Sequence, residues 1–282
     1  MEMETGHETE NTEQKRLIAD GDYQQLALHQ GDNQPLPLLN ISHPEAVEAA
    51  HRAYMLAGAD LIRTNTRGAD ALTLARYGLE DRCEAINNSG AAHARAALGP
   101  DGLMAGTIGP IGGGESTGYS RSEKERAYSQ QMIYLSDTGV TFLLLEHFTD
   151  PQEAELATSI ASRCSDAPVL AQIKLPPPGA AFHLESLTDT AKRLADAGAQ
   201  ALGISCAPLD AQPEKVLEIL LATGLPVSLM TAVADRKPET LHQFRTLHQV
   251  LFPEPIAIRG GCCGTTPDFI AQLKNQKQTP GR

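Results

Sequence analysis

The sequence predicts an α/β protein built as a single (β/α)8 barrel, and three observations lead to that expectation. Short, almost continuously apolar runs alternate with longer stretches of helical periodicity, eight times in order. Strands that alternate with helices pair in parallel through crossovers, and strands covered by helices on the outside lose their polar alternation. The chain has 282 residues, and a TIM barrel takes about 250. No linker or shift in composition divides residues 16–282, so they read as one domain.

The elements follow one another regularly. LIAD (17–20) is strand-like, and HPEAVEAAHRAYMLAG (43–58) then carries apolar residues at helical spacing, with Gly58 at its end. ADLIRTNT (59–66) precedes a helix over 80–99, and GLMAGTIG (102–109) precedes a glycine-rich loop and a helix over 122–138. VTFLLLEH (140–147) leads into PQEAELATSIASRC (151–164), and PVLAQIKL (168–175) into a helix over 186–197. AQALGISC (199–206), LPVSLM (225–230) and EPIAIRG (254–260) complete the strands, with helices over 213–222, 238–249 and 267–274. An open, doubly wound sheet would need an edge pair, and none can be identified.

Composition narrows the function. The formal charge of −12 disfavours a nucleic-acid partner. No run of about 18 apolar residues is present to span a bilayer. Residues 1–15, MEMETGHETENTEQK, are acidic and polar, read as a disordered tail, and lack the basic start and apolar stretch of a secretory leader. A cytoplasmic location is expected. Five cysteines, an odd number, argue against a disulfide framework.

Barrel sites lie at the C-terminal ends of the strands. Cys206 ends the sixth expected strand, and Cys262 and Cys263 follow the eighth. In a closed barrel only one strand separates them, so three sulfurs can converge on the mouth. Zinc takes thiolates in tetrahedral geometry, and three protein ligands leave one position for a substrate. Such an electron-rich centre suits a substrate thiol better than a water molecule. Coordination removes the thiol proton, and attack on an electrophilic carbon is the implied reaction. A second reading stands beside this one. RGGCCG opens a helix after the last strand, as phosphate-cradling loops do. Cys83 and Cys164 fall in helical patterns and read as packing residues. Asp20 reads as a turn or cap residue on local grounds, whereas Glu146, directly after FLLL, needs a partner or a ligand.

These residues resemble the homocysteine S-methyltransferase family, which includes betaine–homocysteine enzymes, S-methylmethionine-dependent enzymes and the homocysteine domain of cobalamin-dependent methionine synthase. RGGCCGTTPDFI (259–270) is similar to the closing motif of that family. LIADG (17–21), HPEAVEAAHRAYMLAGADLIRTNT (43–66), AGTIGP (105–110), LLLEHFTDPQEAELA (143–157) and GISCAP (203–208) extend the likeness along nearly the whole chain after the tail. The resemblance implies that Cys206, Cys262 and Cys263 bind Zn2+. It implies that Asp20 and Glu146 meet the ammonium of homocysteine, and that backbone near Gly21 holds its carboxylate. Asn65, Arg67 and His147 complete the expected substrate side.

The chain also departs from the pattern. Asp22 stands where the family has a second glycine or small residue, and Arg67 where it has an aromatic. The loop after the seventh strand reads Met230-Thr231-Ala232-Val233-Ala234-Asp235 instead of an Asn-Ala-Gly-like run. The sequence has no Trp, which weighs against betaine, since quaternary ammonium groups favour aromatic cages. Arg67 suits an anionic group on the donor. The expected partners are a homocysteine-like thiol and a small methyl donor, with a corrinoid donor protein acting in trans as a further option. A catalytically divergent relative that binds zinc and thiols without turnover is the remaining alternative.

Overall fold

The computed structural model describes residues 16–23, 34–114, 118–175, 184–209, 213–251 and 254–277. The expected tail, residues 1–15, lies outside them. Eight parallel strands follow one another around the molecule: β1 (Leu17–Ile18), β2 (Leu61–Arg63), β3 (Leu103–Ile108), β4 (Phe142–Phe148), β5 (Val169–Lys174), β6 (Ala201–Pro208), β7 (Val227–Ala232) and β8 (Ile256–Gly261). β1 pairs with β8, Leu17 opposite Ile258, and each later strand pairs with its neighbour in sequence from β2 through β8. The last joint, between β1 and β2, is a single parallel bridge from Ala19 to Leu61. The (β/α)8 barrel expected from the alternation is the fold observed.

Helices cover the strands: α1 (Leu39–Ser42), α2 (Pro44–Ala57), α3 (Ala71–Ala75), α4 (Cys83–Leu98), α5 (Arg121–Asp137), α6 (Pro151–Cys164), α7 (Leu184–Asp196), α8 (Pro213–Leu221), α9 (Pro238–Val250) and α10 (Pro267–Lys277). Their starts are written locally. Proline, whose missing N–H costs nothing in a first turn, opens α2, α6 and α9. Ser120 and Glu123 form a reciprocal capping box on α5. Gly58 ends α2 with φ of 100°. The short α1 and α3 escape periodicity because one turn shows no repeat; Asp70 starts α3 by accepting from the Thr73 N–H at 2.8 Å.

Two cores result. The larger packs strands against helices, with Tyr54, Tyr128, Phe148 and Phe244 fully buried. The smaller fills the barrel interior with Leu61, Leu144, Leu170, Met230 and Ile258, and Cys206 and Cys262 crown it at the mouth. β2 stops at Arg63, earlier than the apolar pattern suggests. Beyond it, side chains take over the ladder: Thr64 Oγ1 accepts from Thr107 N–H at 2.9 Å, and Thr66 Oγ1 donates to Thr107 O at 2.8 Å. No helix among the described residues is long and apolar enough to cross a membrane.

Candidate active site at the barrel mouth

The ends of β4, β6 and β8 bring four donor groups together. Cys206 Sγ lies 2.9 Å from Cys262 Sγ and 3.1 Å from Cys263 Sγ. His147 Nε2 lies 3.2 Å from Cys262 Sγ and 3.6 Å from Cys206 Sγ. All four ligand atoms fall within 4.8 Å of one another. Three sulfurs and an imidazole nitrogen suit a tetrahedral ion with bonds of about 2.0–2.3 Å, so the residues present fit zinc.

The loop after β8 is folded to aim both adjacent cysteines. Cys262 N–H donates to Thr231 O at 2.8 Å, and Thr265 N–H and Oγ1 close a turn on Cys262 O at 3.1 and 2.6 Å. Gly264 sits at φ of 81°, where an added Cβ would come within 2.3 Å of Val233 O, so a side chain is excluded twice over. Gly261 N–H donates to Asp20 O at 3.0 Å and Gly264 N–H to Asp22 Oδ2 at 2.8 Å. Asp22 thus fastens the cysteine loop. With four loop N–H groups already donated, this backbone is not a phosphate cradle.

Thiol charges settle unevenly. S–H donation from Cys206 and Cys262 holds Cys263 well below the ordinary thiol range, with His147 and Arg67 adding to the effect. The bond from Cys262 lowers Cys206, but its bond to Cys263 and burial outweigh this and push it up to about 12. Its bonds to Cys206 and Cys263 push Cys262 well up, with burial adding to them. Burial lowers His147 to about 4, so the ring is neutral and free to donate a lone pair.

Beside the sulfurs lies a second cluster that sequence reasoning missed. Arg63 is buried at the end of β2. Its Nε donates to Asp20 Oδ1 at 2.6 Å, and its Nη1 to Glu146 Oε2 at 2.9 Å. Nη2 donates to Gly21 O at 2.6 Å and Gly261 O at 2.9 Å. Asp20 Oδ2 accepts from Arg63 N–H at 2.8 Å and from the Tyr23 hydroxyl. The phenol has one proton and spends it on Asp20, so His51 Nδ1, 2.8 Å away, donates to Tyr23. The one available signal was a basic residue inside the strand-like run ADLIRTNT. Burial raises Glu146, but Arg63 first, then His147 and Arg67, hold its carboxyl below the usual range. Burial outweighs Arg63 and Tyr23 at Asp20 and raises it.

A cleft of about 500 Å³, open to solvent, joins the two clusters. Gly21, Asn65, Arg67, Glu146 and His147 line it together with Cys262 and Cys263, whereas Asp20 is sealed behind Arg63. Asn65 spends its amide N–H groups on Leu36 O and Asn40 Oδ1, at 3.2 and 3.0 Å, and so ties the cleft wall to α1. Arg67 stands at the rim with its side chain 42% exposed, Nε 3.8 Å from Glu146 Oε1.

Residues 10–276 match the family model described as homocysteine S-methyltransferase. Methionine synthase of Mycobacterium leprae (strain TN) is 25% identical over 84% of this chain and 21% of that protein. Betaine–homocysteine S-methyltransferase 1 of Bos taurus is 29% identical over 85% of this chain and 66% of that protein. The chain therefore spans about a fifth of the first relative and two thirds of the second. Among solved structures, the metallated form of the homocysteine methyltransferase MmuM from Escherichia coli superimposes with a TM-score of 0.75 at 24% identity, over 94% of this chain and 97% of that one, and thereby supports the fold. With its matched segment running almost the whole length of the barrel, the chain belongs to the homocysteine S-methyltransferase family.

Proposed function

We propose that the chain is a zinc-dependent S-methyltransferase that transfers a methyl group to the thiol of homocysteine, or of a close thiol or selenol analogue, homocysteine giving methionine. The observation that carries this reading is the convergence of Cys206, Cys262 and Cys263 on one point beside a solvent-open cleft that the last two line. These three residues would hold the ion. When bound, zinc supplies the means to remove the proton of an incoming thiol while its sulfur stays nucleophilic.

The chain's own residues do the rest. Glu146 lines the cleft and its Oε2 is held by Arg63, so Oε1, on the side of Arg67, is the acceptor for the substrate ammonium. Asp20 acts behind it by fixing Arg63. Arg67 at the rim offers a guanidinium to a carboxylate of the acceptor or the donor. Among the described cleft residues the aromatic side chain is Tyr23, whose hydroxyl is committed to Asp20. That composition favours a donor recognised by charge, such as a sulfonium carboxylate, over one held in an aromatic cage. A non-catalytic zinc- and thiol-binding relative is the second reading, favoured by the cation Arg63 enclosed between the two carboxylates.

The test is a donor panel on reduced, zinc-loaded protein. Homocysteine is paired in turn with S-methylmethionine, S-adenosylmethionine, betaine, dimethylsulfoniopropionate and methylcobalamin, the last alone and with a corrinoid protein. The expected result is about one zinc per chain and methionine formation with at least one donor. Zinc without product from any donor would select the second reading. Product formation that survives Cys262→Ser would overturn the metal mechanism.

A further inference from the structure

We propose that Asn65 Oδ1 is a second acceptor for the substrate ammonium, and that Asn40 is the positioning residue that turns this oxygen toward the cleft. This rests on the amino-acid reading of the acceptor given above and deepens it. Glu146 supplies the charge, and the Asn40–Asn65 pair supplies a fixed neutral acceptor.

The direction of an asparagine amide is set by what each of its ends can bond, so it can be followed from partner to partner. Asn40 comes first. Its Nδ2 lies 3.0 Å from Ile86 O and 2.8 Å from Asn65 O. Both are carbonyl oxygens, which only accept, so this end of Asn40 must carry the hydrogens. Its other end, Oδ1, is then an acceptor, and the group 3.0 Å from it must donate. That group is Asn65 Nδ2, which also donates to Leu36 O at 3.2 Å. Turning Asn65 over would set its oxygen against two acceptors. Both amide hydrogens of Asn65 are thus spent, whereas Oδ1 has no partner among the described residues. Nor is that oxygen sealed in, so it opens on the cleft that Asn65 lines.

The surroundings hold Asn40 in place. It is 1% exposed, so water cannot stand in for any of these partners. His93 Nε2, on α4, lies 2.8 Å from Asn40 O and must therefore carry the ring proton. Gly90, on the same helix, makes room for the amide. An added Cβ there would come within 2.5 Å of Asn40 Nδ2 and 2.8 Å of Thr66 Cγ2.

The neighbouring hydroxyls are committed as well. Thr66 Oγ1 donates to Thr107 O at 2.8 Å, which leaves Thr64 Oγ1 to donate to Thr66 at 2.6 Å while it accepts from Thr107 N–H. Thr64 lines the same cleft, yet it has no proton left for a ligand. Between Thr64 and Thr66 the wall therefore offers lone pairs, with Asn65 Oδ1 as the oxygen still without a donor. An ammonium has three N–H groups to place. Glu146 Oε1 takes one together with the charge, and Asn65 Oδ1 takes another. A largely enclosed carbonyl oxygen is costly to leave unpaired, so an arriving N–H is favoured there and an arriving oxygen lone pair is refused.

The experiment uses ligands whose binding needs no metal. Methionine and 4-(methylthio)butanoate share a thioether and a carboxylate and differ in the ammonium alone. Calorimetry on the full chain, with added Zn2+ and again after chelation, gives both Kd values. The parent should prefer methionine by about tenfold or more. Asn65→Leu, close in shape but without the oxygen, should lose about tenfold of that preference. Asn40→Leu frees the Asn65 amide to turn and should lose a similar share. Asn40→Asp keeps the oxygen that fixes Asn65, so it should retain the preference even though it gives up the donor to Ile86 O and melts at a lower temperature. A merely structural Asn40 would instead give losses that follow the melting temperatures. An unchanged preference in Asn65→Leu, or equal losses in Asn40→Asp and Asn40→Leu, would overturn the inference while the ammonium reading stands. A parent that binds the two ligands alike, or binds neither, would overturn both. Should the variants fold poorly, a crystal structure of the parent with methionine decides: the ligand nitrogen should lie within about 3.2 Å of Asn65 Oδ1, and a nitrogen placed elsewhere overturns the assignment.

Discussion

On the β1–β2–β4 side of the mouth, the chain encloses its own cation: Arg63 lies between Asp20 and Glu146, with three backbone carbonyls on its remaining nitrogen. On the β4–β6–β8 side, four lone-pair donors crowd together, linked by thiol hydrogen bonds. The first cluster carries its own cation between the two carboxylates, leaving one net negative charge when both are ionised, so it behaves largely as part of the scaffold. On the proposed reading the second reaches balance with a metal cation from outside, which makes its stability depend on the medium. Glu146 and His147, adjacent in sequence, stand on opposite sides of that divide.

The contrast breaks most visibly at the sulfurs. Cys262→Ala should reduce bound zinc from about one per chain to near zero and bring methyl transfer below detection. The melting temperature of the metal-free variant should match that of the metal-free parent. Metal analysis beside thermal melts checks both halves, and a folded variant with full zinc and turnover would abolish the contrast.

Arg63→Leu should do the reverse. It leaves two carboxylates buried without their cation, a change that costs about 3–5 kcal/mol. Urea unfolding should show that loss even in metal-free protein. If the loss were under about 1 kcal/mol, typical of exposed pairs, the scaffold role assigned to this cluster would be wrong.

A smaller effect sharpens the comparison at the shared wall. Glu146→Gln retains an acceptor but removes the charge facing the cleft. The Kd for homocysteine should rise by roughly 10-fold or more, since 1.4 kcal/mol is a tenfold change, while binding of 4-mercaptobutanoate, which lacks the ammonium, should change little. Equal losses for both ligands would place the substrate ammonium elsewhere.

The smallest effect concerns acid. His51 is buried neutral, its pKa lowered to about 3 by burial and by His93. His248 is likewise held at about 3 by burial and by Arg259. The unfolded chain binds these protons below the ordinary value of 6.5, and the folded chain does not. Stability is therefore full above that value and declines as the pH falls toward 3, by up to about 1.4 kcal/mol per pH unit for each ring. His147, held at about 4 by burial, adds to the same slope, so His51→Gln should remove roughly a third of it between about pH 6 and about pH 4. Urea titrations across that range measure it, and an unchanged slope would mean that His51 protonates in the folded state.

Much of this architecture was legible because it depends on patterns that sequence displays. Each of the eight apolar runs overlaps an observed strand, with β4, β6, β7 and β8 running one or two residues further, and α6 matches its predicted bounds, Pro151–Cys164, because Asp150 and Pro151 mark its start so clearly. The three cysteines were legible because strand order alone places β6 and β8 on either side of β7. Arg63 was not. Its meaning arises from carboxylates 43 and 83 residues away, and no local period reports such a partner. The aim of His147 was equally hidden, since it follows from two register slips set by neighbouring strands. Asp22 registered in the sequence only as a departure from the family pattern, whereas its carboxylate accepts from Gly264 N–H, 242 residues along the chain.

The joint between β1 and β2 has a consequence of its own. One bridge, Ala19 to Leu61, and the Asp20 N–H to Leu61 O bond complete the hoop there. The neighbouring clasp is the Asp20–Arg63 pair, whose guanidinium also steadies Glu146 on the cleft wall. Whatever docks against Glu146 therefore leans on the latch of the ring. Filling the cleft and keeping the hoop shut become one linked equilibrium, in which a ligand that prefers the closed form also strengthens the weakest seam of the barrel.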